Sequence, residues 1–562
     1  MKRSFKLLMI PILSLTLFSC DNYLDINDSP NGLTYDQLTP ELMLPGAQLS
    51  TYRVQSTTMN QLGNVFMNSW TRNVNSYGNG YDRELQLILD NTFYNGIWDG
   101  LYRNIMNFEA INTFPDDSGK YDYYKAVSKI CKAHYTQYIV DLYGNAPYSQ
   151  AWKGIANLTP AYDDDYAIYQ SLIAELEEAR DLINNADPSV AADITDKDIM
   201  LHGDLNMWIE FANTIELRML LRMSNFTSGP VATYRDTKLA DISAGPFLSD
   251  NVTINPGFTS NNDSEQNPLT NQFFYNSAGK NQSNRLFIAM TGHAWKALQS
   301  YGSTNWSNFG NNYIIDPNSN LPTLAYPNYT DPRSSRLFTG GIQNGAVGPR
   351  RAVTQGSNQT DVASNSTPLP GAPSRLGTLG HLDPYDTLGV LSGNSFGIDA
   401  YSTVDGFVMT YSEACLLQAE AALRYPSLFS NESYFFTEAV TDSMYFRVVS
   451  NAGTVASTYL SAMNSKPGYS ITLGSFNEKL HAIMYQKWIA LMGIHGIESY
   501  IDYTRTGYPL TPLSLNATKT RKPYRLIYPL SEYSSNSTNV PNMSDADAFT
   551  INSLTPFWVQ GN

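Results

Sequence analysis

The stretch YKAVSKICKAHYTQYIVDLYGNAPY, Tyr124 to Tyr148, decides the fold. From Tyr124 to Tyr143 its apolar residues recur at helical spacing with no Gly or Pro among them. Gly144 can then take a left-handed conformation at the helix end, and Pro147 prevents the helix from resuming. The unit is a long helix with a hard stop. Working outward, Trp98, Leu101, Tyr102, Ile105, Phe108 and Ile111 fall three or four apart and make one apolar stripe. Tyr166 to Ile183 and Leu205 to Met223 repeat the pattern, and Phe114-Pro115-Asp116 and Asp187-Pro188-Ser189 separate the units. From about Thr39 to Asn225 the chain reads as a stack of helices.

The helix pairs are similar in size to tetratricopeptide-like units, although no strict 34-residue signature is present. From about Thr227 to Thr403 Asn, Ser, Gly, Pro and Thr dominate, and helical periodicity survives only in Asn284 to Tyr301. A structureless stretch of that length is foreign to a compact domain, so the reading is an inserted lobe of turns, short strands and binding loops. Helical patterns return in Thr410 to Tyr425, Phe435 to Ser450 and Phe476 to Met492, followed by a Pro- and Tyr-rich C-terminal coil. The predicted fold class is mostly α: a tetratricopeptide-like helical-pair scaffold with a large irregular inserted lobe.

At the start, Lys2, Arg3 and Lys6 precede an apolar run from Leu7 to Phe18, and Cys20 follows the small Ser19. This is a secretory signal whose Leu17-Phe18-Ser19-Cys20 ending resembles a lipobox. Cys20 would then carry the lipid anchor, effectively a permanent one; ordinary secretion with Cys20 as a free thiol is the alternative. The expected boundaries are 1–19 signal peptide, 20–38 lipidated tether, 39–226 first part of the scaffold, 227–405 ligand-binding lobe, and 406–562 second part and C-terminal coil.

Of the 562 residues 42% are hydrophobic, 12% aromatic and only 15% charged, with a net charge of −15. A large core is affordable in such a chain, and a wholly disordered one is excluded. An acidic balance without a Lys/Arg-rich block excludes nucleic acid as a partner. Past Phe18 no stretch approaches the roughly 20 apolar residues that span a bilayer.

Catalytic signatures are few. His134, His202, His293, His381, His481 and His495 show no HxxxH or HExxH spacing, and Cys131 and Cys415, both in helical runs, read as free core thiols. No GxSxG, P-loop or strand-to-helix GxGxxG occurs. Asp163-Asp164-Asp165 stands before a helix that it can cap, and lacks the order of an EF-hand loop. Trp208, Phe211, Ile215 and Met219 share a face, as do Ile483, Met484, Trp488, Leu491 and Met492; both are core stripes. Asp502, Arg505 and Arg525 can form buried pairs that hold the coil to the helices.

Several strings in one order carry a resemblance. They are Asn22-Tyr23-Leu24-Asp25-Ile26-Asn27 with Asp28-Ser29-Pro30-Asn31; Asp141-Leu142-Tyr143-Gly144-Asn145-Ala146-Pro147-Tyr148; and His202-Gly203-Asp204 with Trp208, Phe211 and Arg218. Tyr411-Ser412-Glu413 with Gln418-Ala419-Glu420-Ala421, Gln486-Lys487-Trp488, Asp502-Tyr503-Thr504-Arg505-Thr506-Gly507-Tyr508-Pro509 and Arg525-Leu526-Ile527-Tyr528-Pro529 complete the set. Together they resemble the SusD/RagB family of Bacteroidetes outer-membrane lipoproteins. The resemblance covers both helical regions; the middle lobe matches nothing. It implies a surface-exposed, lipid-anchored, non-enzymatic subunit that captures a glycan or peptide and partners a SusC-like TonB-dependent transporter.

Carbohydrate capture needs flat rings for the CH faces of sugars, flanked by amides and charges for their hydroxyls. Two stretches offer that mixture outside a clean helical stripe. The first places Trp70, Tyr77, Tyr81 and Arg83 among Asn73, Asn75, Asn79 and Asp82; the second places Tyr301, Trp306, Phe309 and Tyr313 among Asn305, Asn308, Asn311 and Asn312. In the family the ligand-binding rings come from loops near the first helices and from the inserted lobe, which fits both stretches by resemblance. Local packing of loop aromatics is the plain alternative, above all for Trp70. The expected function is capture of an oligosaccharide or polysaccharide without covalent chemistry. Peptide capture is the alternative within the same family, and a surface glycan hydrolase is the alternative outside it. No cofactor is expected; a structural calcium stays open.

Overall fold

The computed structural model of the protein describes residues 38–74, 77–300, 313–315, 322–339, 341–343, 346–348, 352–357, 376 and 402–561. The expected signal and Cys20, and the ligand candidates Tyr301, Trp306 and Phe309, lie outside them.

The helical stack is present and the fold is mostly α. Helix α1 (Pro40–Val54) runs through one π turn, Gln55–Met59, into α2 (Asn60–Phe66). Then come α3 (Gly96–Asn112), which packs on α1, and α4 (Asp122–Tyr143), α5 (Asp165–Asn185) and α6 (Leu205–Arg222), each packed on its predecessor. Caps explain where they begin. Asp164 accepts from the Ala167 amide and Asp204 from the Met207 amide, so each satisfies a donor that the first turn leaves open. The acidic triplet therefore has its capping role, and Asp163 in addition accepts from the Tyr148 and Ser149 amides. Helix α4 stops at Gly144, as its sequence requires, with φ +71° and ψ −132°. The φ is the one that favours glycine, and a Cβ there would stand 2.7 Å from the Leu554 carbonyl oxygen.

After the lobe, α8 (Tyr411–Arg424), α9 (Glu432–Tyr445), α10 (Ala452–Met463), α11 (Phe476–Leu491) and α12 (Gly496–Thr506) complete the scaffold; α7 is Gly229–Ile242. Ser475 and Glu478 form a reciprocal capping box at the start of α11. Three of these helices differ from expectation. Helix α7 lies inside the stretch read as irregular, where it packs on α6 through Ala232, Leu239 and Ile242. Helix α10 follows α9 where no pattern was read, and α12 stands in the expected coil. The last was hidden because Glu498, Asp502 and Arg505 interrupt its apolar pattern while being buried themselves.

Strands occur as two-stranded antiparallel ribbons. Val252–Ile254 (β2) pairs with Gly406–Met409 (β8), so the chain leaves for the lobe and returns through one ribbon. Trp70–Arg72 (β1) pairs with Ile288–Met290 (β3). That pairing breaks the single helix expected over Asn284 to Tyr301 into Ser283–Phe287, a strand, and Gly292–Leu298, whose cap is Thr291. Tyr313–Ile315 (β4) with Pro322–Ala325 (β5), and Gly341–Gln343 (β6) with Ala346–Gly348 (β7), are hairpin pairs of the lobe.

Charge as well as apolar area holds the two scaffold parts together. Arg218 and Arg222 of α6 reach Glu498 of α12 at 3.2 and 2.6 Å, and Arg222 reaches Asp502 at 2.6 Å. Lys487 of α11 meets Asp502 at 2.8 Å, and Arg505 grips Glu420 of α8 at 2.6 Å. All of these side chains are buried. Burial alone would raise the Asp502 carboxyl, yet Lys487, Arg222 and Arg505 hold it at about 2. Arg525, expected in such a pair, instead donates to the Leu526 and Leu554 carbonyls. Trp558 closes the assembly by donating its Nε1 to Asp141 of α4 at 3.0 Å. Cys131 and Cys415 are buried and free, as expected.

Candidate functional site

The site is built where β1 leaves the first helices and meets the lobe. Asn73 continues the ribbon past Arg72: its amide donates to the Phe287 carbonyl at 2.7 Å and its side chain to the Leu286 carbonyl at 3.0 Å. These bonds bring Phe287, half-buried, under the returning loop. Tyr77 meets the Phe287 ring edge-on at 5.2 Å and Tyr81 does so at 4.9 Å. Three rings from two distant stretches thus form one cluster, in the geometry that aromatic quadrupoles favour. Gly80 permits the approach. A Cβ there would lie 2.4 Å from Cζ of Phe287, and its φ is +133°.

Polar groups border the rings. Arg72 donates to Asp82 at 3.1 Å, and the other Asp82 oxygen accepts from the Gly80 amide at 3.2 Å. The buried Tyr81 hydroxyl has no hydrogen-bond partner among the described residues. Tyr81 and Arg72 are buried and brace the cluster, while Tyr77 and Phe287 are half-buried and Asp82 is exposed. Partly open rings beside a positioned carboxylate suit a ligand that is apolar on one face and hydroxylated at its edges. Among the described residues of the cluster none is a nucleophile paired with a base. Among the described residues no group of three or more His, Cys, Asp or Glu is placed to hold a metal ion.

The eight ligand candidates fall in different places. Tyr77 and Tyr81 come together on Phe287. Trp70 is 1% exposed, with its ring edge-on to Phe273 at 5.2 Å, which is a packing position beneath the ribbon. Arg83 turns away to Asp90 and Thr92 and lies over the Phe93 ring at 5.1 Å. Tyr313 stands 51% exposed on the β4–β5 hairpin. Tyr301, Trp306 and Phe309 are outside the described residues. Asp82 was among the polar residues expected beside the rings, whereas Phe287 and Arg72 had not been singled out. Phe287 sat within the pattern read as a helix, and only its distant strand partner, β1, shows its place.

The chain matches the family model SusD-like_2, starch-binding associating with outer membrane, over residues 30–310 and 319–529. No curated protein matches it. Solved structures share its fold. A chitin-binding SusD homolog from Flavobacterium johnsoniae is 20% identical at a TM-score of 0.62, with 88% of this chain and 94% of that one covered. A SusD/RagB family protein from Bacteroides thetaiotaomicron is 19% identical at 0.60, covering 93% and 100%. A SusD-like chain from Bacteroidetes AC2a is 17% identical at 0.62, covering 93% and 99%. At these identities the likeness is one of fold.

Proposed function

The chain belongs to the SusD-like family, starch-binding and associating with the outer membrane, and from that membership we propose that it captures a glycan for uptake. Capture is by binding alone. The Tyr77 and Phe287 rings, backed by Tyr81, give the ring surface, Asp82, held by Arg72, offers hydrogen bonds, and the lobe candidates Tyr301, Trp306, Phe309 and Tyr313 would add further rings. Trp70 supports it from beneath, and Arg83 stiffens the loop through Asp90. The chain would be held by lipid on Cys20, face the cell exterior and deliver its glycan to a SusC-like TonB-dependent transporter. No helix among the described residues is long and apolar enough to cross a membrane.

The observation that carries the reading is the family match, which runs through both scaffold parts and most of the lobe. The test is isothermal titration of the chain from Asp21 onward against starch, chitin, plant and host glycans and a peptide digest, with products followed by chromatography. Saturable binding of one glycan class without new products is expected. Binding of peptides alone would establish the other ligand class, and product formation would make the chain a hydrolase.

A further inference from the structure

The helical scaffold carries a concavity that shares no lining residue with the lobe cluster. Where the segment after Pro147 meets the C-terminal stretch around Ser531, an open cavity of about 220 Å³ is walled by Tyr102 and Trp152 and floored by Trp98. Trp98 and Tyr102 stand 4.6 Å apart between ring centres at 39°, and Tyr102 and Trp152 5.6 Å apart at 30°. Tyr102 and Trp152, both half-buried, make a shallow, curved wall, and the buried Trp98 lies behind it.

Trp152 is held in that wall. Its Nε1 donates to the Tyr102 carbonyl at 2.9 Å, and the Lys132 ammonium lies 5.5 Å from its ring centre. Its backbone sits at φ +57°, the left-handed region, which is costly for a bulky side chain and persists only where the surroundings impose it. Polar groups stand around the rings. Asp99 accepts from the Ser531 hydroxyl at 2.6 Å, and Glu532 accepts from the Tyr162 hydroxyl at 2.8 Å; both carboxylates keep further acceptor capacity. Arg103 is exposed and makes no hydrogen bond or ion pair with a described residue.

We propose that this cavity is a second saccharide site, separate from the lobe cluster, which takes one pyranose residue of a neutral glycan. One sugar face lies on Trp152 and Tyr102, and the hydroxyls are shared among Arg103, Asp99 and Glu532. The small volume suits a single ring better than a chain, since pockets for larger ligands run from roughly 300 Å³ upward. Two carboxylates against one guanidinium disfavour an anionic sugar. The proposal rests on the glycan reading above and adds a second point of attachment, which raises retention of a long chain without new contacts in the lobe.

The test labels the chain from Asp21 with 5-fluorotryptophan and assigns the Trp152 resonance through Trp152→Phe. Maltotriose, chitotriose, cellotriose and mannotriose are titrated by ¹⁹F NMR and by calorimetry. The expected result is a saturable shift of the Trp152 resonance that Arg103→Ala, which removes no bond to a described residue, weakens at least tenfold. Calorimetric saturation with the Trp152 resonance unmoved, or a Trp152 shift that Arg103→Ala leaves unchanged, overturns the second site and leaves the lobe reading standing. No heat and no shift with any of the four sugars overturns both.

Discussion

Gly63 and Gly496 meet backbone to backbone: a Cβ built on Gly63 would stand 2.1 Å from the Gly496 carbonyl carbon. Around this contact Asn60 donates to the Gly493 carbonyl at 2.9 Å, and Asn64 accepts from the Gly493 amide at 3.0 Å. The contact joins α2 to α12, and so the first scaffold part to the second.

Gly63→Ala should therefore force the two helices apart and destabilise the fold by about 1–3 kcal/mol or more, the range of overpacked cores. Gly46 in α1 is the control. A Cβ there meets nothing within 4 Å, so Gly46→Ala should raise stability by about 0.5–1 kcal/mol. Urea unfolding of the two variants measures both; equal stability of Gly63→Ala and wild type would contradict the close approach.

Removing one charge from the buried network should be costly because its partners stay buried. Glu498→Gln leaves Arg218 and Arg222 short of a counter-charge, with an expected loss of about 3–5 kcal/mol by urea or thermal unfolding. A loss below about 1 kcal/mol would mean that the network contributes little.

Stability should fall on both sides of a mildly acidic optimum. Asp502 is held at about 2 in the fold, so its contribution is present above the unfolded value near 4 and is lost as the pH falls toward 2. Asp442 is the opposite case. Burial, with Asp250 and Glu438 nearby, pushes its carboxyl up to about 7, so the fold favours its protonated form and loses stability as the pH rises from about 4 to 7. Asp442→Asn, able to keep the acceptor for the Ser412 amide, should flatten the neutral limb by as much as a few kcal/mol and leave the acid limb alone. Urea midpoints from pH 3 to 8 decide the matter.

The ring cluster should respond to its positioning glycine. Gly80→Ala pushes a methyl group at the Phe287 ring and strains a φ of +133°, so the loop that bears Tyr77 must shift. On the proposed function, affinity for the cognate glycan should fall about tenfold, or 1.4 kcal/mol, with the far-ultraviolet circular dichroism unchanged. Phe287→Ala should have an effect of similar size. Wild-type affinity in both variants would remove the cluster from the site.

Both thiols should be silent in the native chain. Burial raises Cys131 well above the usual thiol range and Cys415 to about 12, so neither offers thiolate to a disulfide reagent near neutral pH. In the chain from Asp21, Ellman's reagent should react with neither residue when folded and with both in urea. Reaction of the folded chain within minutes would show local opening of α4 or α8.

What the sequence disclosed follows the range of the interactions concerned. Helix α11, expected over Phe476 to Met492 and found over Phe476–Leu491, is signalled by its own stripe and by Ser475 and Glu478 three residues apart. The stop at Gly144 was legible too, although the residue keeps only the positive φ of the left-handed cap expected there, its ψ being −132°. Helix α12 was not read, because it is buried on every side and the side that carries Glu498, Asp502 and Arg505 has the composition of a solvent face. The candidate site was half legible. Tyr77 and Tyr81 lie in a mixed stretch that draws notice, whereas Phe287 looked helical until β1 turned its neighbours into a strand.

The bond from Trp558 to Asp141 spans 417 residues. Asp141 also accepts from the Tyr169 hydroxyl of α5 and is paired with Arg222 of α6, so its buried carboxylate has partners within the first scaffold part alone. The indole from the far end of the chain is a latch on an arrangement that earlier residues already make. A chain cut before Trp558 would lose the latch and keep the ion pair.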